Sequence, residues 1–286
     1  MRILVTGATG SVGRRLLPRL LSWNDAPGAE VRVLVRDEAR GAAFAARGAR
    51  VVPGDLTRED GLPAAVAGMD AVLNLAAAFR DVPDDAAWAV NHRAAVALGR
   101  AARAAGVTRF VQVSTNLVYG AGRGRPHLES DRPVPVAGPL WGAYPQSKWA
   151  AEQDLRELDG LDVRIGRLAF VYGEGDGHLA AAPRWITAWP AHKRLQLVHQ
   201  ADAARGLWRL LRAPAAPGPA YNFADDAPVS AVELLTLLAL PVPEGMAGRT
   251  DPDPWHGIAA NDLARDHLGW RPRHPSLRSA MDAGAL

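Results

Sequence analysis

The sequence predicts an α/β protein built on a doubly wound parallel sheet, with a small lobe formed by the C-terminal part of the chain. Two observations lead to this class. Short apolar runs alternate with longer, alanine-rich amphipathic segments up to about residue 170, which is typical of βαβ units. A glycine-rich turn joins the first apolar run to the first amphipathic segment, as in many doubly wound sheets. Such sheets bind ligands beyond the C-terminal ends of their strands.

The apolar runs before residue 170 predict strands, and the amphipathic segments between them predict helices. The predicted strands cover residues 2–6, 31–35, 71–76, 110–114 and 163–168, and a further short strand begins at residues 51–52. The predicted helices cover residues 12–23, 38–46, 85–105 and 146–158. Right-handed crossovers through these helices place the strands in one parallel sheet covered on both faces.

The regular alternation is interrupted in two places. Residues 120–142 are rich in glycine and proline, and a loop of this length is typical of a lid over a site or of a disordered excursion. After residue 173 the pattern fades, although helices at 201–211 and 232–240 and a strand at 221–223 are predicted. We therefore assign residues 1–170 to the sheet domain, to which residues 197–224 return. Residues 171–196 and 225–286 form the small lobe.

Composition argues against several classes of protein. The 286 residues include no cysteine, which rules out disulfides, thiolate metal sites and cysteine nucleophiles. The net charge is +3 and the basic residues are interspersed with acidic ones, so no nucleic-acid partner is expected. No apolar run approaches ~18 residues and no signal peptide is evident, so we expect a cytoplasmic protein without a membrane partner. The histidines lack metal-binding spacings, and no metal is expected.

The stretch VTGATGSVGRRLL follows the first predicted strand and opens the first predicted helix. Its glycines allow a tight turn in which backbone amides approach a pyrophosphate at the helix N-terminus. This context predicts a Rossmann-like dinucleotide-binding domain. The cofactor-binding candidates in the loop are Gly7, Thr9, Gly10, Ser11, Val12 and Gly13.

Cofactor choice depends on the end of the second strand, where Arg36 precedes Asp37. Arginine accommodates the 2′-phosphate of NADP, whereas an acidic residue binds the ribose hydroxyls of NAD. NADP is therefore favoured and NAD is possible. Alternatively, Arg36 is simply solvated and Asp37 caps the next helix. Asp55 ends the third strand. We expect it to accept a hydrogen bond from the adenine amino group or, alternatively, to cap a helix.

The segment YPQSKWAAEQ contains one of only two lysines in the chain. Tyr144 and Lys148 lie four residues apart, so they share one face of the predicted helix. A nearby ammonium is expected to lower the phenol pKa and to make Tyr144 a usable general acid or base. The alternative is an exposed helix face against which the tyrosine packs. Ser114 and Thr115 place hydroxyls at the end of the fifth strand, where one could hold a substrate oxygen.

The motifs TGxxGxxG, GDL, NLAA, STNLVYG and YxxxK occur in this order, and together they resemble the extended short-chain dehydrogenase/reductase family. This family is also called the NAD-dependent epimerase/dehydratase family, and the resemblance covers nearly the whole chain. It implies a catalytic triad of Thr115, Tyr144 and Lys148, with Asn91 supporting the lysine through water. It adds the cofactor-binding candidates Leu56, Leu75, Ala76, Ala77, Tyr144 and Lys148. It also implies a homodimer.

Departures from the family pattern bear on the substrate. Asn116 follows Thr115 where dehydratases of nucleotide sugars carry an acidic pair. Phe170 stands where nucleotide-sugar epimerases often have asparagine. The substrate-binding candidates are Thr115, Asn116, Trp141 and Phe170, and Trp185, Trp189 and Trp255 are further candidates for the cleft wall.

These features favour an NAD(P)-dependent oxidoreductase that acts on a secondary alcohol or carbonyl of a small, sugar-like substrate. One alternative is a sugar or nucleotide-sugar epimerase that uses the same triad and holds NAD tightly. The other is a non-catalytic NADP sensor, because residues 31–56 also resemble the NmrA-like branch of the family.

Overall fold

A computed structural model describes residues 1–24, 29–137, 141–216, 218 and 220–286. Within these ranges the strands are β1 (Arg2–Thr6), β2 (Glu30–Val35), β3 (Arg50–Pro53), β4 (Ala71–Asn74), β5 (Arg109–Thr115), β6 (Asp162–Leu168), β7 (Phe170–Tyr172), β8 (Arg194–Leu195), β9 (Leu197–His199), β10 (Tyr221–Phe223) and β11 (Val229–Ser230). Seven of them form one parallel sheet in the order β3-β2-β1-β4-β5-β6-β10. The predicted α/β class and the doubly wound parallel sheet are confirmed.

The helices of the described ranges cover both faces of this sheet and build the small lobe. They are α1 (Gly13–Trp23), α2 (Glu38–Ala45), α3 (Leu62–Val66), α4 (Asp84–Trp88), α5 (Ala94–Ala104), α6 (Tyr144–Arg156), α7 (His178–Ala181), α8 (Pro183–Ile186), α9 (Gln200–Arg212), α10 (Ala231–Leu237), α11 (Asp262–Leu268) and α12 (Leu277–Asp282). A π-helical turn, Ala89–Arg93, joins α4 to α5, so the predicted helix at 85–105 has an irregular centre. In the described chain no helix is long and apolar enough to span a bilayer.

Successive residues of each central strand point to opposite faces of the sheet and pack in two different cores. Val5 and Leu73 point to one face, where α1, α9 and α11 pack on the sheet. Leu4 and Val72 point to the other face, where α3, α5 and α6 pack. Because successive side chains of a strand point to opposite faces, a sheet buried on both faces requires the unbroken apolar runs seen in the sequence.

A third cluster lies beyond residue 170 and includes Tyr172, Ile186 and Leu234. It packs around two small sheets, the parallel pair β7–β9 and the antiparallel pair β8–β11. The division of the chain into domain and lobe stays a prediction. Trp270 and its neighbours in α11 pack in the first core, although the sequence analysis assigned them to the lobe.

The described part of the glycine- and proline-rich loop packs against residues 251–260. The backbone N–H of Gly122 donates to Asp253 at 2.7 Å, and the N–H of His127 donates to the Ile258 carbonyl at 2.8 Å. His127 is fully buried and stacks on Tyr119, with ring centroids 4.7 Å apart. Residues 120–137 are therefore anchored by the C-terminal segment. Residues 138–140 of this loop lie outside the described residues, as do residues 217 and 219 of the segment 197–224.

Asp225 gives the fold a pH-dependent stability. Burial raises its pKa to about 8, against the opposing effect of a hydrogen bond that its carboxyl accepts from Gln196 at 2.8 Å. Between its ordinary pKa of about 3.9 and about 8, the folded protein holds a proton that the unfolded chain has released. Stability therefore falls as pH rises through this window, by up to about 1.4 kcal/mol per pH unit, and levels off above it.

Asp225→Asn removes this titration. The melting temperature of the variant minus that of the parent should therefore increase from pH 5 to pH 8, a range over which the parent loses stability. The measurement is thermal unfolding followed by circular dichroism at both pH values. Asp266→Asn, an exposed carboxylate on α11, is the control and should show the same difference from the parent at each pH. A constant difference for Asp225→Asn would contradict the assignment.

Candidate active site

A cleft of about 1080 Å³ opens at the C-terminal edge of the central sheet. It spans the point between β1 and β4 where the strand order reverses, which is where doubly wound sheets bind their ligands. The lining includes the glycine loop and a set of aromatic residues, Phe79, Trp141, Phe170, Trp185 and Trp189. All predicted cofactor- and substrate-binding residues line it, and Asn91 does not.

The glycine loop requires small residues for steric reasons. Gly7 has a φ of +68°, and a Cβ at this position would lie 2.5 Å from the backbone nitrogen of Ala76. The Gly10 N–H donates to the Gly7 carbonyl at 3.0 Å, which closes the turn. Gly13 opens α1 where a Cβ would collide with the same carbonyl. These contacts create the close backbone approach that a pyrophosphate site needs, so the residues present fit a dinucleotide.

Two arginines that follow β2 line the cleft. Arg36 is exposed and lines the cleft together with Arg40. The Asp37 carboxylate lies outside the cleft lining and accepts a hydrogen bond from the Ala39 N–H at 2.9 Å, so it caps α2. Asp55 lines the cleft, but one carboxylate oxygen accepts hydrogen bonds from the N–H and the hydroxyl of Thr57. The Thr57 N–H is the main cause of a lowered Asp55 pKa.

Thr115, Tyr144 and Lys148 meet at the middle of the cleft. Thr115 ends β5, Tyr144 opens α6, and Lys148 follows one turn later on the same face. The Lys148 ammonium donates to the carbonyls of Ala76 at 3.0 Å and Val113 at 3.1 Å, and it lies 5.9 Å from the centre of the Tyr144 ring. Lys148 is therefore fixed between the ends of β4 and β5, beside the tyrosine.

The expected lowering of the Tyr144 pKa is wrong, because burial outweighs every charge near the phenol. Burial raises the pKa of Tyr144 to about 12, although a hydrogen bond with Thr115 and the charge of Arg80 act in the opposite direction. Burial also lowers the pKa of Lys148 to about 7, against the opposing effect of Glu152. At neutral pH the tyrosine is thus protonated.

Asn91 lies in the π-helical turn and is fully buried. Its side chain exchanges hydrogen bonds with the backbone N–H and carbonyl of Ala78, both at 2.9 Å, and donates to the Ser147 hydroxyl at 3.1 Å. Ala78 closely follows Ala76, whose carbonyl binds Lys148. Asn91 therefore supports the lysine through the backbone that holds it, and the expected link through water stays a prediction.

The aromatic end of the cleft includes residues that the sequence analysis missed. Trp141, Phe170, Trp185 and Trp189 line this end as expected, whereas Trp255 does not. The additional wall residues are Phe79, Arg80, Lys193, Gln196 and His256. The first two follow the NLAA motif after one intervening residue, Ala78, but nothing in their spacing marks them as wall residues.

One cluster in the described chain has the geometry of a metal site: His199, Asp202 and His274. Two of its three side chains already have partners in the protein. The Asp202 carboxylate accepts from the backbone N–H groups of Arg273 at 2.8 Å and His274 at 2.9 Å. His199 interacts with the carbonyl of Ala285 and the N–H of Ala201. The cluster therefore fastens the C-terminal segment to α9.

Comparison with known proteins places this geometry in a family. Residues 3–224 match the family described as NAD dependent epimerase/dehydratase. The chain belongs to this family. Members are also called extended short-chain dehydrogenases/reductases, and this chain is an enzyme of that type.

Relatives of this extended short-chain dehydrogenase/reductase include reductases and epimerases. It is 33% identical to the 4-hydroxy-2-methyl-3-oxo-4-farnesyl-3,4-dihydroquinoline-1-oxide ketoreductase of Stigmatella aurantiaca, over 98% of this chain and 86% of the relative. It is 31% identical to the 3-diazoavenalumate denitrifying reductase of a Streptomyces species, over 98% and 99%. It is 30% identical to the UDP-glucose 4-epimerase of Mycolicibacterium smegmatis, over 96% and 94%.

Solved structures share the fold. MoeE5 in complex with UDP-glucuronic acid and NAD superposes with a TM-score of 0.75 at 24% identity, over 99% of this chain and 97% of MoeE5. DesIV, the dTDP-glucose 4,6-dehydratase of Streptomyces venezuelae with NAD bound, gives a TM-score of 0.77 at 24% identity, over 99% and 95%. The Rossmann-like architecture is thus common to proteins that bind NAD.

Proposed function

We propose that the protein is an NAD(P)-dependent oxidoreductase that reduces a carbonyl group of a small molecule to a secondary alcohol. The observation that carries this proposal is the meeting of Thr115, Tyr144 and Lys148 between the glycine loop and the aromatic end of the cleft. The nicotinamide cofactor, when bound, supplies the hydride. Thr115 orients the substrate oxygen, and Tyr144 donates the proton that this oxygen needs.

The protonation state of Tyr144 is compatible with carbonyl reduction. With a pKa of about 12, its hydroxyl carries a proton throughout the neutral range. A protonated phenol can act at once as a general acid toward a carbonyl oxygen, whereas alcohol oxidation first requires its deprotonation. The protonated phenol of the resting protein is thus in the form that a carbonyl reduction needs.

Lys148 is suited to hold the ribose next to the nicotinamide. A charged ammonium has three donors, and two of them bind the carbonyls of Ala76 and Val113. The third donor is left for a hydroxyl at the cleft. The same charge stabilises negative charge that develops on the substrate oxygen and on Tyr144.

Relatives support a reductase more than a dehydratase. Two relatives aligned over 98% of this chain are named as reductases. At the position after Thr115, the Asn116 side chain donates to the Gly257 carbonyl at 2.6 Å and offers no carboxylate for dehydration. An epimerase is the second candidate, because the mycobacterial UDP-glucose 4-epimerase aligns over nearly the whole chain. A non-catalytic sensor is disfavoured because the chain belongs to a family of enzymes.

The direct test is net consumption of reduced cofactor. The purified protein is mixed with NADPH or NADH and a panel of aldoses, uronates, simple ketones, cyclic aromatic ketones and UDP-glucose. The absorbance of the reduced nicotinamide is followed, and the products are identified. The proposal expects stoichiometric loss of absorbance with at least one carbonyl compound. Interconversion of a sugar nucleotide without net change in cofactor would establish the epimerase instead.

We further propose that NADP is preferred, because Arg36 faces the cleft while Asp37 is occupied as a helix cap. Loss of a charged hydrogen bond to phosphate costs roughly 1.5–3 kcal/mol. Arg36→Ala should therefore raise the Kd for NADP by roughly 10- to 100-fold and change that for NAD much less. Fluorescence titration with both cofactors measures this, and Arg103→Ala on the outer surface of α5 is the control. Equal losses for NAD and NADP would contradict the assignment.

A homodimer and a cytoplasmic location stay predictions. The first rests on the family resemblance and the second on composition.

A further inference from the structure

The substrate end of the cleft is built largely from aromatic rings. Phe79 packs on the catalytic Tyr144, with ring centroids 4.5 Å apart. Phe170 and Trp185 lie 6.0 Å apart, and Trp185 and Trp189 lie 4.8 Å apart. These rings form an apolar wall in two parts, Phe79 beside the proton donor and the group of Phe170, Trp185 and Trp189. The Arg80 guanidinium lies over both Phe79 and Phe170 and so joins the two parts. Planar apolar compounds fit such a wall, because stacked or tilted rings attract one another.

Polar side chains at this end already have partners in the protein. The Asn116 amide donates to Gly257, and the Gln196 amide donates to Asp225 while accepting from the Ala259 N–H. Lys193 pairs with Asp251 at 3.4 Å. A sugar has many hydroxyls, each of which needs a hydrogen-bond partner when buried. The wall therefore offers little to replace the water around a sugar.

The Ser114 hydroxyl and Arg80 differ from these groups, because each lines the cleft with a buried polar atom that has no partner in the described chain, and only Arg80 is charged. The Arg80 guanidinium lies over the rings of Phe79 at 4.7 Å and Phe170 at 5.6 Å. It lines the cleft, and it makes no hydrogen bond or ion pair with any residue of the described chain. Its Nε is buried without a partner. The charges of Asp81 and Asp176 act on it from beyond ion-pairing distance, and burial lowers its pKa.

The backbone at Arg80 is unusual for residues that carry side chains. Arg80 and Asp81 have φ angles of +57° and +51°, in the left-handed region. Such conformations are costly and persist only where the surrounding structure holds them. The turn directs the guanidinium to the two rings, next to Tyr144. A cation held in this way, with its donors free, is suited to bind an anion.

We infer that the substrate is a planar, largely apolar ring compound that carries a carboxylate or a similar anionic group. The aromatic wall binds the ring, and Arg80 binds the anion beside the reacting carbonyl. This inference rests on the proposed carbonyl reductase function and names its substrate class.

The test uses binding and requires no turnover. Isothermal titration calorimetry of the protein saturated with oxidised cofactor compares 2-naphthoate, its neutral amide and UDP-glucose. The naphthoate should bind at least ~10-fold more tightly than the amide, because only the acid pairs with Arg80. Arg80→Gln should abolish this difference, whereas Arg80→Lys should retain part of it. Arg103→Gln, a surface arginine, is the matched control.

Cofactor affinity and thermal unfolding of each variant show whether it is folded. Equal binding of acid and amide to the parent protein would overturn the inference, as would tighter binding of UDP-glucose. Unchanged acid binding in Arg80→Gln would also overturn it. If Arg80→Gln bound the cofactor more weakly but still preferred the acid over the amide, Arg80 would be a cofactor-binding residue and not a substrate-binding one. If the parent protein bound neither NAD nor NADP, the proposed function itself would fail.

Discussion

Tyr144→Phe is expected to lower kcat for carbonyl reduction by about 100- to 10,000-fold, while the Kd for the cofactor changes little. The substitution removes the hydroxyl that protonates the substrate oxygen, and general acid catalysis contributes on this scale. It keeps the ring, so the packing against Phe79 is retained. Steady-state kinetics at saturating cofactor, together with a cofactor titration, measure both quantities.

Tyr172→Phe is the matched control for this substitution. Tyr172 lies in the core of the small lobe, outside the cleft lining, and its hydroxyl makes one long hydrogen bond of 3.5 Å to the Ser276 carbonyl. The same chemical change there should leave kcat within about 2-fold, because no proton transfer depends on this phenol. If Tyr144→Phe turned over substrate as fast as the parent, the proton donor would have to be another group.

Glu152→Gln is expected to destabilise the protein by roughly 3–5 kcal/mol, because it leaves the Arg167 charge buried without its counter-ion. Glu152 and Arg167 are both buried, and two hydrogen bonds of 3.1 and 2.6 Å join them. The network extends through Tyr119 to Asn222 and so ties α6 to the sheet. Thermal unfolding should show a fall in melting temperature of roughly 10 °C.

Asp154→Asn provides the control on the same helix. Asp154 pairs with His92 at 2.8 Å, but its side chain is 52% exposed, so its loss should cost less than about 1 kcal/mol. Replacing both Glu152 and Arg167 by methionine should restore much of the lost stability, because the Arg167 charge is then no longer buried without its counter-ion. Similar melting temperatures for Glu152→Gln and Asp154→Asn would contradict the role assigned to the buried pair.

The features that the sequence predicts best depend on local spacing. The glycines of the first turn could be identified because they lie between a strand and a helix at the spacing of a dinucleotide-binding motif. Tyr144 and Lys148 could be identified because residues four apart lie on one face of a helix. The parallel sheet followed from the apolar runs. Helix α6 begins at Tyr144, two residues earlier than predicted, so the tyrosine occupies the first helical position.

The features that could not be predicted depend on contacts between distant parts of the chain. Strands β7 and β9 have three residues each and exist through pairings such as Phe170 with Leu197. Arg80 reaches the cleft by a left-handed turn that its residue type does not favour. The pKa of Tyr144 was mispredicted for the same reason, because spacing reveals the neighbouring ammonium but not the burial that outweighs it.

The scarcity of lysine has a practical consequence for handling this protein. Lys148 and Lys193 are the only lysines in the sequence, and both line the cleft. Lys148 is 1% exposed, so reagents that acylate lysine side chains should react mainly with Lys193. The extent of such labelling would report how much of the protein has a ligand in the cleft. Immobilisation through lysine would block the cleft.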